Sequence, residues 1–251
     1  DSMGNMFIRR AGKNPQLAPV LTGSHVDTQP LGGNYDGVYG VLAGLELLRT
    51  LNDHHIETER DVVLVNWTNE EGARFAPAML SSGVWTGQFS EAYAHARADH
   101  DGITVGEALD NIGYRGEAPA RAFPVYACYE LHIEQGPILE DEGLDIGLVR
   151  AAMGQRWFTL TLDGFAAHAG TTPMHSRRDA LTAFAELALK VEEIGYRHAP
   201  DGRATIGMAQ VTPNSRNVVP SRVVCSVEFR HPALTALEAM EAALHKVAES
   251  L

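Results

Sequence analysis

The sequence predicts an α/β fold. A mostly parallel, helix-covered sheet occupies roughly residues 1–150, and an α+β unit of ferredoxin-like type occupies 151–251. Two observations carry this expectation. In the first part, short apolar runs alternate with helical segments, the pattern of parallel strands joined by crossover helices. In the second part, the elements run strand–helix–strand–strand–helix, the order of a ferredoxin-like unit.

Ala18–Ser24 (APVLTGS) is a short apolar run ending at His25 and reads as a buried strand. Gly32, Gly33 and Gly37 make the loop that follows, and Val38, Val41, Leu42, Leu45 and Leu48 then recur at helical spacing. Asp61–Trp67 (DVVLVNW) is a second buried strand, ending just before Thr68–Glu71. Thr104–Ile112 reads as a helix, with Thr104 as N-cap and Glu107 completing a capping box. The texture changes after Val149. Gln155–Asp163 alternates like a half-exposed strand, and Asp179–Ile194 forms a long helix with Leu181, Phe184, Ala185, Leu187, Ala188 and Val191 on its apolar side. Ala204–Val211 and Val223–Phe229 read as strands, and the chain is helical from Leu234 onward. The domain boundary is expected near 148–152.

Composition narrows the function. Hydrophobic residues make up 45% and charged residues 21% of the 251, and mean hydropathy is −0.14. A net charge of −12 repels phosphate backbones, so nucleic acid is excluded as an expected partner. No apolar run reaches membrane-spanning length. The opening DSMGNMFIRR lacks the apolar segment of a signal peptide and reads like the inside of a domain. Cys128 and Cys225, far apart, read as small buried residues of a reducing compartment, the cytoplasm.

The chemistry concentrates in GSHVDTQPLGGNYDG, NWTNEEGARFAP and YELHIEQGP. His25 and His132 offer imidazoles, and Asp36 offers a carboxylate that can bridge two cations after a glycine-rich turn. Glu70 and Glu71 are adjacent, so one can bind metal while the other takes a proton from water. Asp27, two residues beyond His25, points to the same side of an extended segment and is expected to accept the second imidazole N–H. Taken singly, a histidine or a Glu-Glu pair is ordinarily a structural or solvated feature. Here His25 and the Glu pair both follow strands of a parallel sheet, where functional groups gather. NSRNVVP lacks the G-x-S-x-G elbow of a serine hydrolase. Arg177 and Arg178 are expected to cap or salt-bridge near Asp179, and His54, His55, His95, His100 and His198 to lie at the surface.

These blocks, with AHAGTTPM–RRDA and NVVPSRV, resemble the hydantoinase/carbamoylase family of amidohydrolases within the M20 metallopeptidase group, over about residues 17–232. The family includes N-carbamoyl-L-amino-acid hydrolases, β-ureidopropionases and allantoate amidohydrolases, and DTQP with GGNYDG looks more like the carbamoylase branch. The resemblance implies two divalent ions, zinc foremost, with manganese, cobalt or nickel also accepted. His25, Asp36 and His132 would hold one ion, and Asp36 and Glu71 the second. Glu70 would be the general base and Asp27 would orient His25. Gln135 would contact the substrate, His168 would stabilise the oxyanion, and Asn217 and Arg230 would bind the carboxylate of an N-carbamoyl amino acid. An Arg fork suits a carboxylate, which agrees with that placement. The second domain would be an inserted lid and dimerisation domain, with His168 or Asn217 serving the partner of a homodimer. Allantoate hydrolysis and M20-type aminoacylase or dipeptidase activity are the alternatives.

The sequence departs from the family at both ends. The leading helices and a later histidine ligand are absent, and His231 and His245 lie in the wrong segment to replace that ligand. The expectation is therefore a truncated member or a portion of a longer product, with an incomplete catalytic domain, a weak second metal site and poor activity. A non-catalytic binding or assembly role is the corresponding alternative.

Overall fold

The computed structural model describes residues 1–251 and divides into two compact units, Asp1–Ile146 and Gly147–Leu251. The first contains β1 (Met6–Arg10), β2 (Val20–His25), α1 (Val38–Asp53), β3 (Val62–Trp67), α2 (Leu80–Trp85), α3 (Glu91–His95), α4 (Val105–Asn111), β4 (Ala127–Tyr129) and α5 (Ile138–Asp141). Its sheet has the order β1-β3-β2-β4. β2 pairs in parallel with both β3 and β4, whereas β1 runs antiparallel to β3. The sheet is therefore mixed. β1 was not legible because MFIRR alternates too briefly and too polarly to stand out.

The buried strands Leu21, Val63, Leu64 and Val65 form the centre of this unit. α1 lies on them through small residues. Gly40 and Gly44 are buried, and a Cβ on Gly44 would stand 2.6 Å from Leu64 Cδ1. This corrects the expected stripe, of which Leu48 alone is buried while Leu42 and Leu45 are exposed. The closest approach of helix to sheet is set by the absence of side chains, which hydrophobic spacing does not reveal. A second cluster joins Met3, Phe75, Leu80, Val84, Val105 and Leu109. The start of the chain is thus packed inside the unit. His95 is not a surface residue either, since its Nε2 meets the Ser2 carbonyl at 2.9 Å. Both cysteines are free, and Cys128, expected inside, is exposed on β4, an edge strand.

The second unit contains β5 (Gly154–Asp163), β6 (Ala167–His168), α6 (Ala180–Arg197), β7 (Arg203–Thr205), β8 (Ala209–Thr212), β9 (Val218–Val219), β10 (Arg222–His231) and α7 (Leu234–Ser250). β5 and β7 flank β10, β8 pairs further along β10, and all these pairings are antiparallel. The expected single strand Ala204–Val211 is two, interrupted where Ser226 N–H donates to the Met208 carbonyl instead. Leu187, Val191, Val227, Phe229, Met240 and Leu244 join α6, β10 and α7 in one core. Leu181 and Ala185, expected on the apolar side of α6, are exposed. Asp179 caps α6 by accepting from Leu181 N (2.9 Å) and Thr182 N (3.3 Å). No helix is long and apolar enough to cross a membrane.

The capping box on α4 is complete, with Glu107 N–H donating to Thr104 Oγ1 and Thr104 N–H to Glu107 Oε2. Replacing Thr104 by Ala is expected to cost about 1 kcal/mol, read as a lower urea midpoint by circular dichroism. An unchanged midpoint would show that the cap contributes nothing here.

Candidate metal centre

His25 is the last residue of β2 and lies opposite Trp67, the last residue of β3, in the parallel register. Glu70 and Glu71 follow β3 on a loop held from several sides. Thr68 N–H donates to Asn5 Oδ1 (2.9 Å), and the amides of Glu70 and Glu71 donate to the two carboxylate oxygens of Asp27 (3.1 Å each). Asp36 arrives from the glycine-rich loop. Gly37 beside it has φ of 64°, and a Cβ there would sit 2.4 Å from the His25 ring, so only glycine fits. His132 is carried by the segment beyond β4.

The structure brings His25, Asp36, Glu70, Glu71 and His132 together. His25, Asp36 and His132 form one group of donor atoms within 4.8 Å of one another, and His25, Glu70 and Glu71 form another. Asp36 Oδ1 stands 3.4 Å from His132 Nε2 and 3.9 Å from His25 Nε2, and Glu70 Oε2 is 3.6 Å from His25 Nε2. His25 and Asp36 are 3% and 2% exposed, whereas the side chains of His132 and Glu70 keep about 28% and 31% of their surface open to solvent.

The fit to a cation follows from the protons. His25 Nδ1 lies 2.6 Å from the Asp27 carbonyl and His132 Nδ1 lies 2.8 Å from the Ile133 carbonyl. Carbonyls only accept, so each Nδ1 carries an N–H, and in the neutral, metal-binding form of the ring each Nε2 presents a lone pair. Both lone pairs face Asp36 Oδ1, a buried oxygen with no hydrogen-bond partner. Such a group of acceptors is costly unless a positive charge lies between them. The oxygen and imidazole donors suit a divalent transition ion.

The electrostatic surroundings of the carboxyl groups point the same way. Burial and the shared hydrogen bond with Asp36 push Glu71 up to about 7. Burial opposes ionisation of Asp36, yet hydrogen bonds from Glu71 and from Thr28 Oγ1 (3.1 Å) outweigh it and hold Asp36 below the usual range. Crowding of Asp36 and Glu71 thus favours a proton on Glu71 as pH falls below about 7. Burial also raises Glu70; His25 opposes the rise, and the charges of Asp27 and Glu130 add to it.

Asp27 differs from expectation. Its backbone carbonyl, not its carboxylate, takes the His25 N–H, and the carboxylate is 3.7 Å from Nδ1. The carboxylate is instead engaged by the Glu70 and Glu71 amides, so Asp27 ties both ligand-bearing loops together. Gln135 is exposed and has a left-handed backbone, φ 57°.

In the second unit, β6 and β9 place His168 opposite Val218, and Ala169 N–H donates to the Asn217 carbonyl (2.9 Å), so His168 and Asn217 are neighbours. Arg177 does not pair with Asp179. Its guanidinium donates to the carbonyls of Ala169 (2.7 Å) and Thr172 (3.0 Å), clamping the turn behind His168. This role leaves no local signal in the chain, because the clamp spans a turn without periodicity. Arg230 lies near the far end of β10, where its Nε donates to Glu228 Oε1 (2.6 Å) and Trp157 Nε1 holds the same oxygen (2.8 Å).

The sequence profile of peptidase family M20/M25/M40 matches residues 21–251. An N-carbamoyl-L-amino-acid amidohydrolase of Rhizobium meliloti is 46% identical over 251 residues, covering 100% of this chain and 60% of that protein. An allantoate amidohydrolase of Bacillus subtilis strain 168 is 38% identical over 245 residues, covering 95% of this chain and 58% of that protein. The crystal structure of a hydantoinase/carbamoylase family amidase from Burkholderia vietnamiensis superimposes with a TM-score of 0.96 at 57% identity, over 99% of this chain and 60% of that one. The chain therefore spans about three-fifths of the length of these proteins.

The raised Glu71 carboxyl sets a pH test. A glutamate ordinarily near 4.5 that titrates at about 7 when folded keeps a proton that the unfolded chain has released. Its contribution to stability is full below about pH 4.5 and is lost as pH rises through about 7. The metal-free thermal midpoint is expected to fall across that window, and Glu71→Gln is expected to flatten the fall. An equal slope in wild type and variant would remove Glu71 as its cause.

Proposed function

Because the chain belongs to peptidase family M20/M25/M40, we propose that it is part of a metal-dependent amidohydrolase that cleaves the ureido C–N bond of N-carbamoyl-L-amino acids. The observation that carries this reading is the buried Asp36 Oδ1 facing the free Nε2 lone pairs of His25 and His132. The relatives from Rhizobium meliloti and Bacillus subtilis support a linear ureido substrate. The second of them supports allantoate as the alternative.

His25, Asp36 and His132 would hold one divalent ion, and Asp36 with Glu71 the second. Ions held there would supply Lewis acidity toward water and toward the ureido carbonyl. Glu70 takes the proton of the attacking water and later delivers it to the departing nitrogen. Asp27 accepts from the Glu70 amide and so anchors the backbone that carries this carboxylate. Gln135 contacts the substrate. His168 donates to the oxygen that gains charge as the carbonyl is attacked. Asn217 and the fork of Arg230 hold the carboxylate end and supply orientation.

The second unit serves in this reading as a ferredoxin-like lid through which a homodimer forms. Its own geometry supports the pairing. His168 and Asn217 lie by the start of β10, and Arg230 is eight residues on from Arg222. At about 3.3 Å per residue, Arg222 and Arg230 stand about 26 Å apart along the strand. His168 and Asn217 thus lie toward one end of β10 and Arg230 toward the other, an arrangement that suits two copies related by a dyad sharing the task.

Glu70→Gln in the protein of which this chain is part is expected to lower kcat by at least about a thousandfold while metal content by elemental analysis is unchanged. Substantial residual turnover would reject Glu70 as the base. Assaying N-carbamoyl-L-amino acids, allantoate, N-acyl amino acids and dipeptides side by side is expected to give the highest kcat/KM for an N-carbamoyl substrate. Preference for a dipeptide would overturn the ureido assignment.

A further inference from the structure

We infer that the hydrogen bond between Ser24 and Glu130 sets the spacing of His25 and His132, making both residues positioning groups of the metal centre. The inference rests on the metal-binding reading above. β2 continues to His25, and β3 accompanies it to the register pair His25↔Trp67. On its other edge the ladder with β4 ends earlier, at Thr22↔Tyr129. Beyond Tyr129 the chain leaves the sheet. Residues Leu131–Gly136 belong to no helix or strand, and no backbone–backbone hydrogen bond ties them down.

His132 is therefore carried on a segment that secondary structure does not fix. Glu134 steadies that segment only locally, accepting from the amides of Ile138 (3.0 Å) and Leu139 (2.8 Å). The contact that reaches back to the strand of His25 is Ser24 Oγ–H donating to Glu130 Oε1, between residues 106 apart in sequence. Ser24 immediately precedes His25 and is 1% exposed, while Glu130 is an exposed residue two positions before His132. Gly40 of α1 forms the floor of the same junction. A Cβ there would lie 2.4 Å from the Leu131 carbonyl and 2.8 Å from Ser24 Cβ, so any larger residue would push the two segments apart.

The physical consequence is preorganisation. The rings of His25 and His132 have their centroids 5.7 Å apart, and a cation must reach both Nε2 atoms at about 2 Å. Without the Ser24–Glu130 contact, ordering His132 would become part of the cost of binding. Partners that orient metal ligands from outside the coordination sphere typically carry about 10–100-fold in metal affinity.

The test uses the 251-residue chain, stripped of metal and titrated with Zn²⁺ against a chromophoric chelator. Ser24→Ala is expected to raise Kd about tenfold. Glu130→Ala, at an exposed position that leaves the buried strand untouched, is expected to raise it equally. Glu130→Gln keeps the acceptor oxygen and is expected to retain most of the affinity. The Co²⁺ visible spectrum is expected to change in the two alanine variants, while far-ultraviolet circular dichroism of the metal-free proteins does not. Wild-type affinity in Ser24→Ala and Glu130→Ala would overturn the inference and leave the metal reading standing. A larger loss in Glu130→Gln than in Ser24→Ala would overturn it by making Glu130 a ligand. Failure of the wild type to bind Zn²⁺ would overturn the metal reading and this inference together.

Discussion

Lone pairs forced to face one another in a dry place are the constraint from which the rest follows. Two backbone carbonyls take the Nδ1 protons of His25 and His132, so each ring in its neutral form turns an Nε2 lone pair toward Asp36. Asp36 cannot turn away, since Thr28 holds its other oxygen and its side chain is buried. Burial and the neighbouring Asp36 raise the Glu71 carboxyl to about 7, in the direction that lessens the conflict. A divalent cation relieves it better, because one ion satisfies several acceptors at once and leaves the remaining carboxylate free to move protons.

The fold supplies this arrangement cheaply. Parallel strands put their carboxyl ends on one edge of the sheet, so β2 and β3 deliver His25 and the Glu70–Glu71 loop to the same place. Glycines then allow close approach: Gly37 under the His25 ring, and Gly40 where Ser24 and Leu131 meet. Asp27 links the two loops through the amides of Glu70 and Glu71, and Asn5 fastens the start of the second loop from the beginning of the chain. The centre is thus held by side chain–backbone bonds that span the unit rather than by local secondary structure.

This explains which parts were legible. β2, α1, β3, α4 and the α6–β10–α7 layer show themselves through apolar periodicity and capping chemistry, both local properties of the chain. The site residues could be assembled because His25 and the Glu pair follow strands that a parallel sheet must align. Asp27 was placed beside His25 but given the wrong bond, since sequence spacing says which groups are near and not whether backbone or carboxylate makes the contact. The glycine-led face of α1, the exposure of Cys128, the clamp of Arg177 and the tie between Ser24 and Glu130 left no periodic trace. Each depends on residues that meet only after the chain has folded.

The most direct measurement of the central claim is anomalous diffraction from crystals of the chain soaked in Zn²⁺, recorded at the zinc absorption edge. The account predicts a peak about 2.0–2.2 Å from His25 Nε2, His132 Nε2 and an oxygen of Asp36. A soaked crystal that binds zinc only elsewhere, with Asp36 Oδ1 still facing both imidazoles alone, would contradict it.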